Sequence, residues 1–87
     1  MSSVNLKALY SDYLFHSYLY YKKHISIIRD EEFDAICKEL LARWEEVAHR
    51  FKYLTTKEDL EAGTGYAIQY PHGMMRAFED KLFNIKQ

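Results

Sequence analysis

The chain has few of the residues that interrupt or cross-link a fold. Its 87 residues include one cysteine, one proline and three glycines. The single thiol, Cys37, excludes an intrachain disulfide and fits a reducing compartment, so we expect a cytoplasmic protein. No hydrophobic run is long enough to cross a bilayer, and the first residues lack the apolar core of a secretion signal. We therefore expect no membrane partner.

An excess of charge of one sign is also missing. The chain carries 12 lysines and arginines against 13 aspartates and glutamates, which gives a net charge of -1 with neutral histidines. A general DNA-binding protein is basic overall, so nucleic acid is an improbable partner. The length allows one domain, and no repeat or linker divides the chain. We expect a single helical domain over residues 1–87.

The scarce helix breakers are unevenly placed. The glycines and the proline all lie between Gly63 and Gly73, while apolar residues before them recur at three- and four-residue steps. This pattern predicts an all-α fold. One helix is expected from about Val4 to Lys23. A second, capped by Asp30 and reaching Phe51, should pair with it as a long antiparallel hairpin.

Two smaller helices should follow the hairpin. The segment TTKEDLEAG has the form of a short capped helix that begins after Thr55 or Thr56 and stops at Gly63. A medium helix is expected near His72–Phe83. Between these two helices, residues 63–71 predict a loop or one short strand.

Aromatic residues are abundant in this small chain. Hydrophobic residues make up 48% of it and aromatic residues 16%, including eight tyrosines. A domain of this size buries only about 60% of its unfolded surface. Some rings should therefore stay exposed, and we expect self-association into a homo-oligomer or a protein partner. Tyr18, Tyr20 and Tyr21 cannot all face the core, because adjacent helical positions diverge by about 100°.

The stretch HSYLYYKKHISIIRDEEFDAICKELLARWEE, from His16 to Glu46, joins a helix ending in rings to an acidic helix start through a short turn. It resembles the small N-terminal domain, called Ia, of NAD-dependent DNA ligases. That domain is a helical hairpin that binds the nicotinamide mononucleotide (NMN) half of NAD. The resemblance covers about residues 9–46, and residues 47–87 form a C-terminal extension. The adenylation domain with its nucleophilic lysine is absent, so the resemblance implies a non-catalytic module and not a complete ligase.

The resemblance can be followed position by position. Tyr20 matches the family's tyrosine, and Asp30 and Asp34 match the first and last aspartates of its D-A-E-Y-D type motif. Two positions depart from the family. Tyr21 stands where the family has histidine, and Phe33 stands where it has tyrosine. Both keep a ring, so stacking on a ligand is retained while the hydrogen bonds must differ.

The whole chain is also similar to small stand-alone ligase-related proteins of bacteriophages. The segment LTTKEDLEAGTGYAIQYP carries this likeness. It implies a phage-type accessory protein in the host cytoplasm, which sequesters a nucleotide signal or acts on NAD or DNA metabolism.

Together these residues form the expected binding site for NMN, NAD or another nucleotide. The rings would sandwich a base or nicotinamide, the carboxylates would take its polar edges, and the cations would meet phosphate. A structural alternative exists for each group: packing for the rings, a cap for the acids and a solvated helix end for the cations. The predicted ligand-binding residues are Tyr20, Tyr21, Lys22, Lys23, Arg29, Asp30, Phe33 and Asp34.

No other chemistry is indicated. The four histidines follow no metal-ligand spacing, and the G-x-G at Gly63 has no following lysine with serine or threonine. Cys37 falls on an apolar stripe and fits a core position. No nucleophile and base are paired by the pattern, so no enzyme is expected. The alternative function is an interaction protein that binds and modulates a host protein through its aromatic face.

Overall fold

The computed structural model describes residues 5–63 and 68–86, and none of these residues lies in a β-strand. The prediction of an all-α fold is confirmed. In chain order, the helices are α1 (Leu6–Tyr18), which continues into a π-helical segment (Leu19–Lys23), α2 (Asp30–Ala42), α3 (Lys57–Ala62) and α4 (His72–Lys86). None of the described helices is both long and apolar enough to span a membrane.

The first helix is capped by a side chain. The Ala8 N–H donates to Asn5 Oδ1 over 3.1 Å, which satisfies one of the free donors of the first turn. The apolar face of α1 packs into the core, where Tyr10, Tyr13 and Leu14 are all buried. The helix therefore serves as the central element against which the others pack.

The second helix differs from its prediction at both ends. Arg29, not Asp30, takes the capping position, and the Arg29 N–H donates to Glu32 Oε1 over 2.9 Å. The helix stops at Ala42 instead of Phe51, and two 3₁₀ turns, Trp44–Glu46 and Lys52–Leu54, follow.

The apolar spacing concealed this early stop of α2. Trp44 and Val47 are buried, and Phe51 packs against the same core, although their backbone is no longer α-helical. Periodicity records which side chains face the core and does not distinguish a continuing helix from turns that follow the same surface.

Ring contacts define the hairpin. Tyr13 stacks on Phe33 at the start of α2, with centroids 5.7 Å apart and planes at 21°. Tyr10, one turn earlier in α1, meets the later Trp44 edge to face at 5.7 Å. Since an earlier residue of α1 contacts a later residue of the returning segment, the two arms are antiparallel, as predicted.

The short third helix has the predicted capping box. Thr56 Oγ1 accepts from the Asp59 N–H, and Asp59 Oδ2 accepts from the Thr56 N–H, each over 3.2 Å. Gly63 ends the helix in the left-handed conformation at φ +68°. Of the expected loop or strand, residues 64–67 lie outside the described part of the chain, and residues 68–71 form no strand.

The last helix covers the side of α1 that the hairpin leaves open. Leu82 is buried, and the Phe78 ring lies 5.4 Å from Phe15 and 5.6 Å from Tyr18. The Tyr18 hydroxyl donates to Glu79 Oε2 over 2.7 Å. Most rings are thus in the core, while Tyr20, Tyr53 and Phe83 stay exposed.

Candidate functional site

The closed end of the hairpin has an unusual backbone. The helix widens to π geometry at Leu19–Lys23 and ends at His24, a non-glycine residue in the left-handed region at φ 58°. The Ile25 N–H closes the turn on the Leu19 carbonyl over 2.9 Å. π turns and left-handed non-glycine residues are uncommon and are concentrated at functional sites. This end of the hairpin is therefore where a site is expected on backbone grounds alone.

A cavity of about 310 Å³ opens at this end. Its lining comes from the last turn of α1, the π turn, the connector that follows it, the first turns of α2 and the end of α3. Its lining comprises His16, Tyr20, Tyr21, Ile25, Ser26, Ile27, Ile28, Asp30, Phe33, Asp34, Ala62 and Gly63. The volume is at the low end of the range for small-molecule sites, which is about 300–1,000 Å³.

Five of the eight predicted ligand-binding residues line this cavity: Tyr20, Tyr21, Asp30, Phe33 and Asp34. The fold thus brings together the three rings and both carboxylates. This arrangement makes their joint use by one ligand geometrically feasible.

The two tyrosines of the π turn form an aromatic corner. Their centroids are 4.8 Å apart with planes at 89°, and both line the cavity although they are adjacent in sequence. A π turn has more residues than an α turn, so consecutive side chains diverge less. Tyr20 is 52% exposed. The Phe33 ring is held more firmly than that of Tyr20, because it stacks on the buried Tyr13.

The carboxylates differ in their surroundings. Asp34 Oδ2 pairs with Lys38 Nζ over 3.0 Å on the exposed face of α2. Its Oδ1 lies toward Gly63, where an added Cβ would stand 3.7 Å from this oxygen. Asp30 makes no ion pair or hydrogen bond of its side chain within the described residues. The Asp30 carboxylate is accordingly the one available to a ligand without breaking a contact.

The three cationic residues of the predicted site, Lys22, Lys23 and Arg29, do not line the cavity. Lys23 Nζ lies 3.1 Å from Glu79 Oε2 on α4, and Arg29 Nε lies 3.8 Å from its neighbour Glu32. Lys22 is exposed and does not line the cavity. The expected cluster of cations beside the rings is therefore not formed. Lys22 and Lys23 follow the two tyrosines in the π turn, so their side chains project from other faces of the helix than the one that lines the cavity.

Several lining residues were not singled out from the sequence. His16 precedes Tyr20 by four residues, and this spacing on one helix face was a usable signal. Burial lowers the pKa of the His16 imidazole below its usual value, with Asp12 and Lys81 acting as opposing neighbours. Ala62 and Gly63 carried no such signal, because only the packing of α3 brings them to the cavity.

The single cysteine lies elsewhere. Cys37 is fully buried in the core, as expected, and burial raises the pKa of its thiol to about 12. The reactive form of cysteine is the thiolate, which is scarce at neutral pH under these conditions.

The chain matches no protein-family model, no curated protein and no solved structure.

Proposed function

We propose that the protein is a non-catalytic nucleotide-binding module whose hairpin-end cavity takes NMN, the nicotinamide half of NAD, or a related nucleotide. The observation that carries the proposal is the joint lining of one cavity by Tyr20, Tyr21, Phe33, Asp30 and Asp34. Aromatic walls with a few convergent polar groups are typical of small-molecule sites. The resemblance to ligase Ia domains supplies the class of ligand.

The charge of the lining favours the nicotinamide half over an adenine ring. Among the described residues, two carboxylates line the cavity and no lysine or arginine does. The nicotinamide ring of oxidised NMN or NAD is a cationic pyridinium, which aromatic faces and carboxylates both attract. Adenine is neutral and gains less from the same surroundings.

The ligand's phosphate belongs outside the cavity in this proposal. The cavity of about 310 Å³ suits one ring with its ribose. Arg29 and Lys22 flank the lining residues Asp30 and Tyr21 in sequence and are exposed. Arg29 pairs with Glu32 only through an exposed contact at 3.8 Å, so both side chains can turn to a solvent-facing phosphate. Lys23 would first have to leave Glu79.

The wider role rests on the resemblance to phage proteins. In this proposal the protein is a phage-type accessory protein of the host cytoplasm, forms a homo-oligomer and performs no reaction of its own. The exposed Tyr53, Phe83 and Ile85 support self-association, because they leave apolar surface uncovered on a single copy.

Calorimetric titration with NMN, NAD, AMP and a panel of cyclic nucleotides tests the proposal. We expect NMN or NAD to bind, and Tyr20→Ala and Asp30→Ala to weaken binding about tenfold or more, since one ring stack is worth ~1–3 kcal/mol. Glu31→Ala is the matched control, because it removes the same charge from the same helix turn but lies outside the cavity lining. Circular dichroism should give the same helix content for all three variants. If wild type binds and both site variants bind equally well, the assigned residues are wrong.

A second candidate is supported by the rim of the same cavity. Tyr20 and Ile27, which are 52% and 41% exposed, form an apolar edge that a host protein would cover. This candidate predicts that no nucleotide of the panel binds. It also predicts that Tyr20→Ala abolishes binding to one identified host protein, whereas Tyr53→Ala, the control at an exposed ring outside the cavity lining, does not.

A further inference from the structure

A second cavity, of about 430 Å³, lies between α1, the turn before the second 3₁₀ segment and the start of α4. Its lining is mainly apolar and includes Leu14, Phe51, Met74 and Phe78. None of these residues belongs to the hairpin-end cavity. The two cavities are therefore separate sites.

The two cavities have opposite charge. In the part of the chain that the structure describes, Arg50 is the cation in the lining of the second cavity, and no aspartate or glutamate lines it. Within the described residues Arg50 forms no ion pair, and its guanidinium instead lies over the Phe51 ring at 5.0 Å from the centroid. A guanidinium without a carboxylate partner beside an apolar cavity is suited to an anion that also has an apolar part.

The turn that carries Arg50 is held in place from both sides. The Phe51 N–H donates to His49 Nδ1 over 3.0 Å, so the neutral imidazole carries its proton on Nε2, which lies 3.0 Å from Ser11 Oγ. The buried Tyr10 hydroxyl donates to the Phe51 carbonyl over 2.8 Å. Arg50 thus starts from a fixed backbone, which reduces the entropy lost when its side chain binds a ligand.

We infer that the second cavity binds a small carboxylate with an aryl or short alkyl body. The body would pack on Leu14, Met74 and Phe78, and the carboxylate would accept hydrogen bonds from the Arg50 guanidinium. A single cation matches a single negative charge, which favours a monocarboxylate over a doubly charged phosphate. The site is independent of the nucleotide proposed for the other cavity.

NMR titration of the full chain tests the inference with defined probes. Benzoate, phenylacetate and hexanoate should shift the amide signals of Arg50, Gly73 and Met74 in a saturable way. The neutral amides of the same three acids should bind about tenfold more weakly, since a hydrogen bond to a charged group is worth roughly 1.4 kcal/mol or more. Arg50→Leu should reduce acid binding by the same factor and leave amide binding unchanged.

Two further variants separate charge from shape. Arg76→Leu is the matched control, because Arg76 is an exposed cation on α4 that does not line the cavity, and acid binding should stay the same. Gly73→Leu should block both acids and amides. Gly73 lines the cavity, and a Cβ there meets no atom within 4 Å, so the new side chain fits without displacing the fold.

Three results would overturn the inference. One is the absence of saturable shifts at these amides up to about 10 mM acid, which corresponds to negligible affinity. Another is equal binding of acids and amides, with no effect of Arg50→Leu. The third is a dependence of the same signals on protein concentration without any probe, because this would show that a second copy of the chain covers the cavity.

Discussion

Tyrosine hydroxyls organise the polar contacts at the edge of the core. The Tyr10 hydroxyl lies 2.9 Å from Thr55 Oγ1 as well as 2.8 Å from the Phe51 carbonyl, and it thereby ties the end of the chain's second 3₁₀ turn to α1. Burial raises the pKa of Tyr10 to about 12. The hydroxyl therefore stays protonated and remains a donor throughout the physiological range. The hydroxyls of the buried Tyr10 and Tyr18 are both hydrogen-bonded, which lets these two rings enter the core of a small domain without leaving an unpaired donor.

Two half-buried histidines give the fold a pH dependence. Burial lowers the pKa of both His16 and His49 below the ordinary value of 6.5, and Lys7 and Arg50 lower that of His49 further. Between the folded and unfolded pKa values the unfolded chain binds more protons, so stability rises with pH there. The contribution is complete above the unfolded pKa and is lost as the pH falls toward the folded pKa.

We therefore expect urea unfolding at pH 5.0 to show a lower free energy of unfolding than at pH 7.5. The variant carrying His16→Gln and His49→Gln should have a smaller difference between the two pH values, because neither site then titrates. A pH difference as large as that of the wild type would assign the effect to other groups.

At the scale of the elements, helix ends determine where the chain can turn. Thr56 and Gly63 delimit a six-residue helix that would be marginal by itself. Gly63 stops α3 through its left-handed backbone and also lines the hairpin-end cavity, where an added Cβ would stand at an ordinary contact distance of 3.7 Å from Asp34 Oδ1. The same residue thus serves the fold and the lining of the hairpin-end cavity.

A pair of glycine substitutions should have opposite effects. Gly63→Ala should destabilise the protein by about 1–2 kcal/mol, because φ +68° is unfavourable for a residue with a Cβ. Gly73→Ala should stabilise it by up to roughly 0.5–1 kcal/mol, because Gly73 is helical and its added Cβ meets nothing within 4 Å. Chemical denaturation measures both. Equal effects of the two substitutions would contradict the assigned backbone conformation at Gly63.

At the scale of the whole molecule, one continuous core joins the hairpin to α4. The Phe78 ring contacts Phe15, Tyr18 and Tyr70, and ion pairs of Glu79 with Lys23 and of Lys81 with Asp12 surround this contact. The ion pairs are exposed, so the stabilisation comes chiefly from the rings. A shared core implies that the elements unfold together.

Phe78→Ala should lower the stability of the entire fold by about 3 kcal/mol, at the low end for such substitutions because Phe78 is only partly buried. Trp44, which lies in the same core but does not contact Phe78 by its ring, provides the measurement. Its fluorescence and the far-UV circular dichroism should shift to the same lower denaturant midpoint. A change in circular dichroism alone would mean that α4 detaches independently.

Local chemistry in the sequence was sufficient for most element starts and for part of the site. The capping box at Thr56 and the stop at Gly63 depend on residues within one turn of each other, and the structure confirms both. Tyr20 and Asp30 were selected by a resemblance and line a common cavity. The end of α2 was missed, because Trp44 and Val47 face the core in either backbone conformation.

The sequence by itself determined the all-α class, the antiparallel hairpin and the exposure of at least one tyrosine at its end, because periodicity and capping act over a few residues. Only the tertiary structure decided what surrounds those rings. Lys23 turns to Glu79 on α4 and Gly63 approaches Asp34, and both contacts join residues far apart in the chain. Such contacts depend on how whole helices pack, and no local pattern of residues encodes that packing by itself.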